Sequence, residues 1–164
     1  IMLSGETAAG KHPVQAVEAM ARIAAYTEAS INYEKRLRSA EFKIHNIVDA
    51  LSHATCGMAV DIGAAAIAVC TLSGGTARMV SRFRPPMDIM GLTTSEKTWR
   101  KLGLSWGVTP VLCEAFNSTD VLFYTAKKLA RQTFDLQPGD RLVLTGGMTN
   151  GTSGNTDLIK LETI

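Results

Sequence analysis

The sequence predicts a three-layer α/β domain, with helices on both faces of a mostly parallel five-stranded sheet whose last strand runs antiparallel. Three observations predict it. From residue 66 onward short apolar runs alternate with helical stretches, the pattern of a parallel sheet covered on both sides. Pro85-Pro86, Gly103 and Pro138-Gly139-Asp140 punctuate that alternation with turns. The final apolar run, 158–161, follows a glycine-rich loop that leaves no room for a crossover helix, so it must return antiparallel.

The elements follow in order. Pro13 opens a first helix at the position that tolerates proline best, and Val14, Val17, Met20, Ala21 and Ala24 recur at helical spacing towards Tyr33. The charged stretch 34–41 reads as a linker or a solvated helical end. Ile44, Ile47, Val48, Leu51, Thr55 and Met58 then mark a second apolar stripe that ends near Gly63. Residues 66–70, 87–92, 108–112 and 141–145 are predicted strands, and 76–82, 95–101 and 118–134 the helices between them. The run 158–161 becomes an edge strand, and an exposed edge invites pairing with a second subunit, so self-association is expected.

Composition limits the function. The 164 residues are 46% hydrophobic and 20% charged, enough to build a core and far from the signature of disorder. With a net charge of only +2 and scattered Lys and Arg, neither nucleic acid nor a membrane is expected as a partner. No apolar run approaches the ~18 residues of a spanning helix, and there is no signal-peptide pattern, so a cytoplasmic location is expected. Cys56, Cys70 and Cys113 are odd in number and form no CxxC pair, which fits reduced core thiols. His12, His45 and His53 have no ligand-like neighbours, and no metal site is expected. The opening Ile1-Met2-Leu3 is apolar without an initiating context, so the chain is expected to be cut from something longer.

Three glycine-containing segments are candidates for chemistry. Gly5-Glu6-Thr7-Ala8-Ala9-Gly10-Lys11 has the spacing of a nucleotide phosphate loop, but His12 stands where a Ser or Thr would hold Mg²⁺, and Pro13 offers no N–H. A strand-to-helix turn is the competing reading of that segment. Thr71-Leu72-Ser73-Gly74-Gly75-Thr76 joins a predicted strand to a predicted helix, where free N–H groups, the helix dipole and three hydroxyls favour a phosphate. The alternative is that Ser73 or Thr76 simply caps the helix. The polar run from Thr145 to Thr156 leaves the carboxyl end of a parallel strand, the side at which ligands gather in open α/β sheets. It is either a surface loop or a cover for a ligand, with Gly147, Gly151, Ser153 and Gly154 as the candidate contacts.

Together these segments resemble pyruvate kinase. Met2-Leu3-Ser4-Gly5-Glu6-Thr7-Ala8-Ala9-Gly10 with Pro13 looks like the family's last catalytic-barrel strand and the helix after it. Thr71, Ser73-Gly74, Thr76-Ala77-Arg78, Val80-Ser81-Arg82 and Arg84-Pro85 are similar to its effector loop and the following helix. Trp106-Gly107-Val108, Pro110-Val111-Leu112, Gly139-Asp140 and Thr145-Gly146-Gly147 match later strands and loops. The resemblance implies that residues 1–33 are a barrel remnant and 34–164 a C-terminal effector-binding domain. It implies a parent enzyme that transfers a phosphoryl group from phosphoenolpyruvate to ADP with Mg²⁺ and K⁺, whose catalytic carboxylates, lysine and arginine would precede Ile1. No catalytic residue and no cofactor is then expected within this chain, and residues 1–33, without the barrel of the same chain, should be poorly packed or rearranged.

The resemblance further implies that Thr71, Ser73, Gly74, Gly75 and Thr76 hold a phosphate, that the loop 147–154 folds over the ligand, and that subunits touch in an oligomer. Where bisphosphate-responsive members carry a Trp and an Arg for a second phosphate, this chain has Phe116 and Val121-Leu122-Phe123. Loss of a bidentate guanidinium points to a monophosphate effector, a sugar monophosphate or AMP. A small nucleotide-binding protein and a purely structural oligomerisation domain are the alternatives.

Overall fold

The computed structural model describes residues 1–116, 118–147 and 156–164. They fall into two units, Ile1–Asn32 and Tyr33–Ile164.

The first unit contains a short helix, α1 (Gly5–Ala8), and a long one, α2 (Pro13–Ala29), with Pro13 at its start as expected. Neither helix has a buried residue. The helix ends before Tyr33, because the N–H and hydroxyl of Ser30 both turn back to the Thr27 carbonyl.

The second unit starts with α3 (Tyr33–Ser39), so the charged stretch forms a separate helix. Leu37 is its one buried residue, while Arg38 pairs with Glu34 at 3.1 Å and Asp61 at 2.9 Å. Helix α4 (Ile47–Asp61) begins where the Asn46 side chain accepts the Asp49 N–H, which leaves Ile44 ahead of the helix. Its buried face is Asp49, Ser52, Thr55, Cys56 and Ala59, whereas Ile47 is 74% exposed and Met58 is also exposed. The helix therefore turns a different face inward from the apolar stripe read in the sequence. Small side chains let its backbone approach the sheet closely, and close packing outweighs the burial of a few larger residues.

The remaining elements are β1 (Ala66–Cys70), α5 (Gly75–Arg82), β2 (Asp88–Thr93), α6 (Glu96–Leu102), β3 (Val108–Leu112), α7 (Thr119–Phe134), β4 (Arg141–Gly146) and β5 (Leu158–Thr163). They form one sheet in the order β3-β2-β1-β4-β5, parallel except for the antiparallel β4–β5 pair. That is the predicted fold class. Strand residues alternate between two cores. Ile67, Val69, Ile89 and Val143 pack with Cys56, Ala59, Ala77, Val80 and Phe83 of the α4–α5 side. Ala66, Ala68, Met90, Leu92, Leu142 and Leu144 pack with Leu122, Phe123, Ala126 and Ala130 of α7. Both faces of β1 are buried, which is why its sequence AIAVC is apolar throughout.

Candidate functional site

The chain runs from β1 to β2 to β3 in one direction, then crosses back to place β4 on the other side of β1. The carboxyl ends of β1 and β4 therefore flank the point where the strand order reverses, the place in open α/β sheets where a crevice opens for a ligand. Two of the glycine-containing segments leave from these ends: 71–76 follows β1, and Gly147 follows β4. Cys70 and Gly146 are paired in register, and a Cβ on Gly146 would lie 2.9 Å from both the Cβ and the carbonyl oxygen of Cys70. Only glycine lets the two strand ends come this close.

The turn after β1 is shaped by its own hydroxyls. Thr71 Oγ1 accepts the Gly74 N–H at 3.0 Å. Gly74, the residue at the N-cap of α5, has φ 81°, in the left-handed region that favours glycine. A Cβ there would also press on Thr98 and Leu102, each at 3.2 Å. Thr98 Oγ1 donates to the Leu72 carbonyl at 2.8 Å, with Thr93 Oγ1 at 3.4 Å, so β2 and α6 fix the loop from below. Sequence reasoning missed these two threonines. Nothing in their spacing sets them apart from threonines that merely end a strand or enter a helix.

The first intrahelical bond of α5 runs from the Arg78 N–H to the Gly74 carbonyl. The N–H groups of Gly75, Thr76 and Ala77 thus lie ahead of the helical ladder, and the residue at the cap is a glycine with no side chain to offer them. Ser73 is exposed on this turn. Thr76 is not: its side chain is buried, with Oγ1 2.5 Å from Thr156 Oγ1. This bond ties the first turn of α5 to the residue that leads into β5. Of the other expected contacts, Gly147 is half-buried at the end of β4, and Gly151, Ser153 and Gly154 lie outside the described residues.

The thiols around the sheet are held protonated by burial. Cys56 and Cys70 are pushed up to about 12 and Cys113 to about 11, desolvation being the first cause in each case. They are apolar packing groups rather than nucleophiles. Phe116 packs half-buried against the α7-side core, and Leu122 and Phe123 are buried in it.

The segment 5–11 takes a different form from a phosphate loop. Residues Gly5–Ala8 are helical, with the Thr7 and Ala8 N–H groups on the Ser4 carbonyl and the Ala9 N–H on that of Gly5. The Glu6 carboxylate accepts the Ser4 N–H at 3.2 Å, and backbone N–H groups hold it below the usual carboxylate range. A Cβ on Gly10 would collide with the Glu6 carbonyl, which accounts for that glycine sterically. No strand forms ahead of Gly5, in contrast to the barrel strand that the resemblance implies. A strand needs a neighbour for its backbone bonds, and every strand among the described residues belongs to the sheet of the other unit.

A profile described as pyruvate kinase, alpha/beta domain, matches residues 49–162. The chain belongs to the pyruvate kinase family. It is 42% identical to the pyruvate kinase of Clostridium acetobutylicum, covering 100% of this chain and 35% of that protein. It is 38% identical to that of Staphylococcus epidermidis and 39% identical to that of Lactobacillus delbrueckii subsp. bulgaricus, and spans 28% of each. The part of the family that this chain represents is the C-terminal α/β domain. Mg²⁺ and K⁺ are implied for the family's whole enzyme; among the described residues no three of His, Cys, Asp and Glu cluster closely enough to hold a metal ion.

Proposed function

We propose that this domain binds a phosphorylated small molecule at the β1–α5 turn and acts as the regulatory part of an enzyme that transfers a phosphoryl group from phosphoenolpyruvate to ADP. One observation carries the reading. At the point where the strand order reverses, the glycine at the cap of α5 leaves the N–H groups of Gly75, Thr76 and Ala77 ahead of the helical ladder, where the helix dipole favours an anion. Ser73 adds an exposed hydroxyl, and the segment that starts at Gly147 leaves from the adjacent strand. The apolar Phe116, Leu122 and Phe123, packed into the core, offer no guanidinium to a second phosphate, so the ligand class is a monophosphate such as a sugar monophosphate or AMP.

Thermal unfolding with and without ribose 5-phosphate, AMP, fructose 1,6-bisphosphate and inorganic phosphate tests this reading, because a ligand at 100 times its Kd stabilises the folded state by about 2.7 kcal/mol. A rise in Tm with a monophosphate, lost in Thr76→Asp and in the exposed variant Ser73→Asp, is expected. A larger rise with the bisphosphate would overturn the ligand class, and no rise with any of them the site itself.

A second role is favoured by β5. It lies at the edge of the sheet with Leu161 47% exposed, a surface suited to pairing with another subunit. Self-association through this edge accompanies ligand binding, and would be the whole function if no phosphorylated ligand bound.

A further inference from the structure

Resting on the ligand reading given above, we propose that Thr98 of α6 is a positioning residue for the phosphate turn, residues 71–74. It holds the Leu72–Ser73 peptide with its carbonyl turned into the protein, so that an approaching anion does not meet an acceptor there. Such a turn has a problem that the helix behind it lacks. Every peptide unit carries an acceptor as well as a donor, and a carbonyl facing an anion offsets what an N–H contributes. Within α5 the ladder fixes each peptide, but residues 71–74 precede the first intrahelical bond, from the Arg78 N–H to the Gly74 carbonyl. Their orientation has to be set from outside the helix.

Two hydroxyls set that of Leu72. Thr98 Oγ1 donates to its carbonyl at 2.8 Å and Thr93 Oγ1 at 3.4 Å. Both threonines are buried, so the carbonyl points inward, away from the solvent through which a ligand arrives. In a planar trans peptide C=O and N–H point in opposite directions, and among the described residues no peptide is cis, so this unit turns its N–H side outward. Thr93 is the weaker holder: its bond is longer, and its oxygen also accepts the Ser95 N–H at 3.3 Å.

Thr98 uses both branches of its side chain. While Oγ1 takes the carbonyl, Cγ2 backs Gly74, 3.2 Å from where a Cβ would stand on that left-handed residue. Branching at Cβ leaves threonine few χ1 choices, so hydroxyl and methyl are placed together. The helix that carries them is seated independently of the turn. Ser95 Oγ accepts the Thr98 N–H at 3.3 Å, and Gly91 of β2 makes room for Leu102, whose Cδ1 would lie 2.9 Å from a Cβ there. Glycine at 91 thus lets α6 lie close enough to the sheet for Thr98 to reach Leu72.

Thr98→Val and Thr98→Ser in the 164-residue chain separate the two branches, since the first keeps the methyl contact without a donor and the second the donor without the methyl. Calorimetric titration with inorganic phosphate and with ribose 5-phosphate, beside Tm of the same samples, reads the result. Thr98→Val should raise both Kd values about tenfold, and Thr98→Ser should stay within about threefold of the unsubstituted chain. A merely structural Thr98 would lower Tm in both variants and leave both Kd values unmoved. Amide exchange reads the turn without any ligand. The Gly74 N–H, bonded to Thr71 Oγ1, should exchange about tenfold faster in Thr98→Val while the amides of β1 keep their rates. Should the valine variant fail to fold, Thr98→Ala against Thr98→Ser makes the same comparison, hydroxyl absent against hydroxyl kept. Unaltered Gly74 exchange, or Kd values within about twofold of the unsubstituted chain once the hydroxyl is gone, would overturn the role of Thr98 and leave the ligand site standing. An unsubstituted chain that binds neither compound would overturn the ligand reading itself, and with it any role of Thr98 towards a phosphate.

Discussion

The two edges of the sheet are built from the same backbone and treated in opposite ways. Among the described residues β3 has parallel β2 as its only neighbour at one edge, and at the other β5 has antiparallel β4. The Ile89 N–H donates to the Gly107 carbonyl and the Cys113 N–H to that of Thr93, so residues 109 and 111 face β2 while Val108, Pro110 and Leu112 face outward. Little is left there to pair. The Val108 N–H donates to the Ser105 carbonyl, Pro110 has no N–H, and its carbonyl accepts the Trp99 indole N–H at 3.1 Å. β5 carries no proline, and no side chain among the described bonds takes the outward groups of Ile159, Leu161 or Thr163. An α/β sheet with two open edges would polymerise, and one with two closed edges would stay single; under the self-association proposed above, one of each would stop at two.

The largest expected effect comes from closing the open edge. Leu161→Pro removes an outward N–H and sets a ring where the partner strand must lie, while the ladder to β4 loses no donor. Self-association should fall by at least a hundredfold in Kd, with only a small change in Tm. Sedimentation and thermal unfolding of the same sample measure the two together. A variant that still dimerises would place the contact elsewhere on the domain.

The complementary change opens the closed edge. Trp99→Ala with Pro110→Thr frees the carbonyl and restores an N–H at position 110, so β3 can accept a strand. Light scattering should then show a mass that climbs with concentration beyond two chains, because both edges pair. Adding Leu161→Pro should return the limit to two. A mass that stays at two chains in the Trp99→Ala, Pro110→Thr variant would show that the cap is not what closes the edge.

A smaller difference concerns acid. Glu162 is held below its ordinary pKa of 4.5, first by its hydrogen bond with Lys160, then with that of Lys127. A carboxyl whose folded pKa is depressed stabilises the fold above the unfolded value and loses that contribution as pH falls through the folded one. Urea midpoints of the native chain should therefore exceed those of Glu162→Gln near pH 7, and the gap should close as pH drops below 4.5 and through the lowered range. The β3 cap joins an indole to a carbonyl, neither of which titrates, so Trp99 variants should show no such convergence.

This contrast explains why some of the molecule was legible in the sequence. The strands were readable because burial on both sides writes continuous apolar runs such as 66–70, and the edge position of β5 followed from a loop too short for a crossover. The inward face of α4 was not readable. Apolar spacing favours Ile47 and Met58, but the residues that pack with the strands are Cys56 and Ala59, whose fitness lies in being small. At the candidate site, the strand–turn–helix segment 71–76 stood out by its glycines and hydroxyls. Thr98 and Thr156, which hold the Leu72 carbonyl and reach the Thr76 hydroxyl, come from sequence positions 26 and 80 residues away from those partners, and only the assembled sheet brings them there. The Pro110 carbonyl and Trp99 indole are likewise joined by topology.

The smallest expected effect separates the two parts of the cap. Trp99→Phe keeps most of the ring's apolar contact and deletes one hydrogen bond, Nε1–H to the Pro110 carbonyl. A net loss of about 0.5–1.5 kcal/mol follows for such a bond, and less where water can replace the indole, as Trp99 is partly exposed. Pro110 still withholds its N–H, so β3 gains an acceptor without regaining a donor. A strand docking there would find an incomplete ladder. Association should then rise only slightly, by a few-fold in the weak approach to species larger than two, and far less than when Pro110 is also replaced. If Trp99→Phe alone produced open assembly, the indole would be the main barrier and the proline incidental. If it changed nothing even at millimolar chain while the double variant assembled, the proline would carry the closure, and the indole would serve only to hold α6 against the edge.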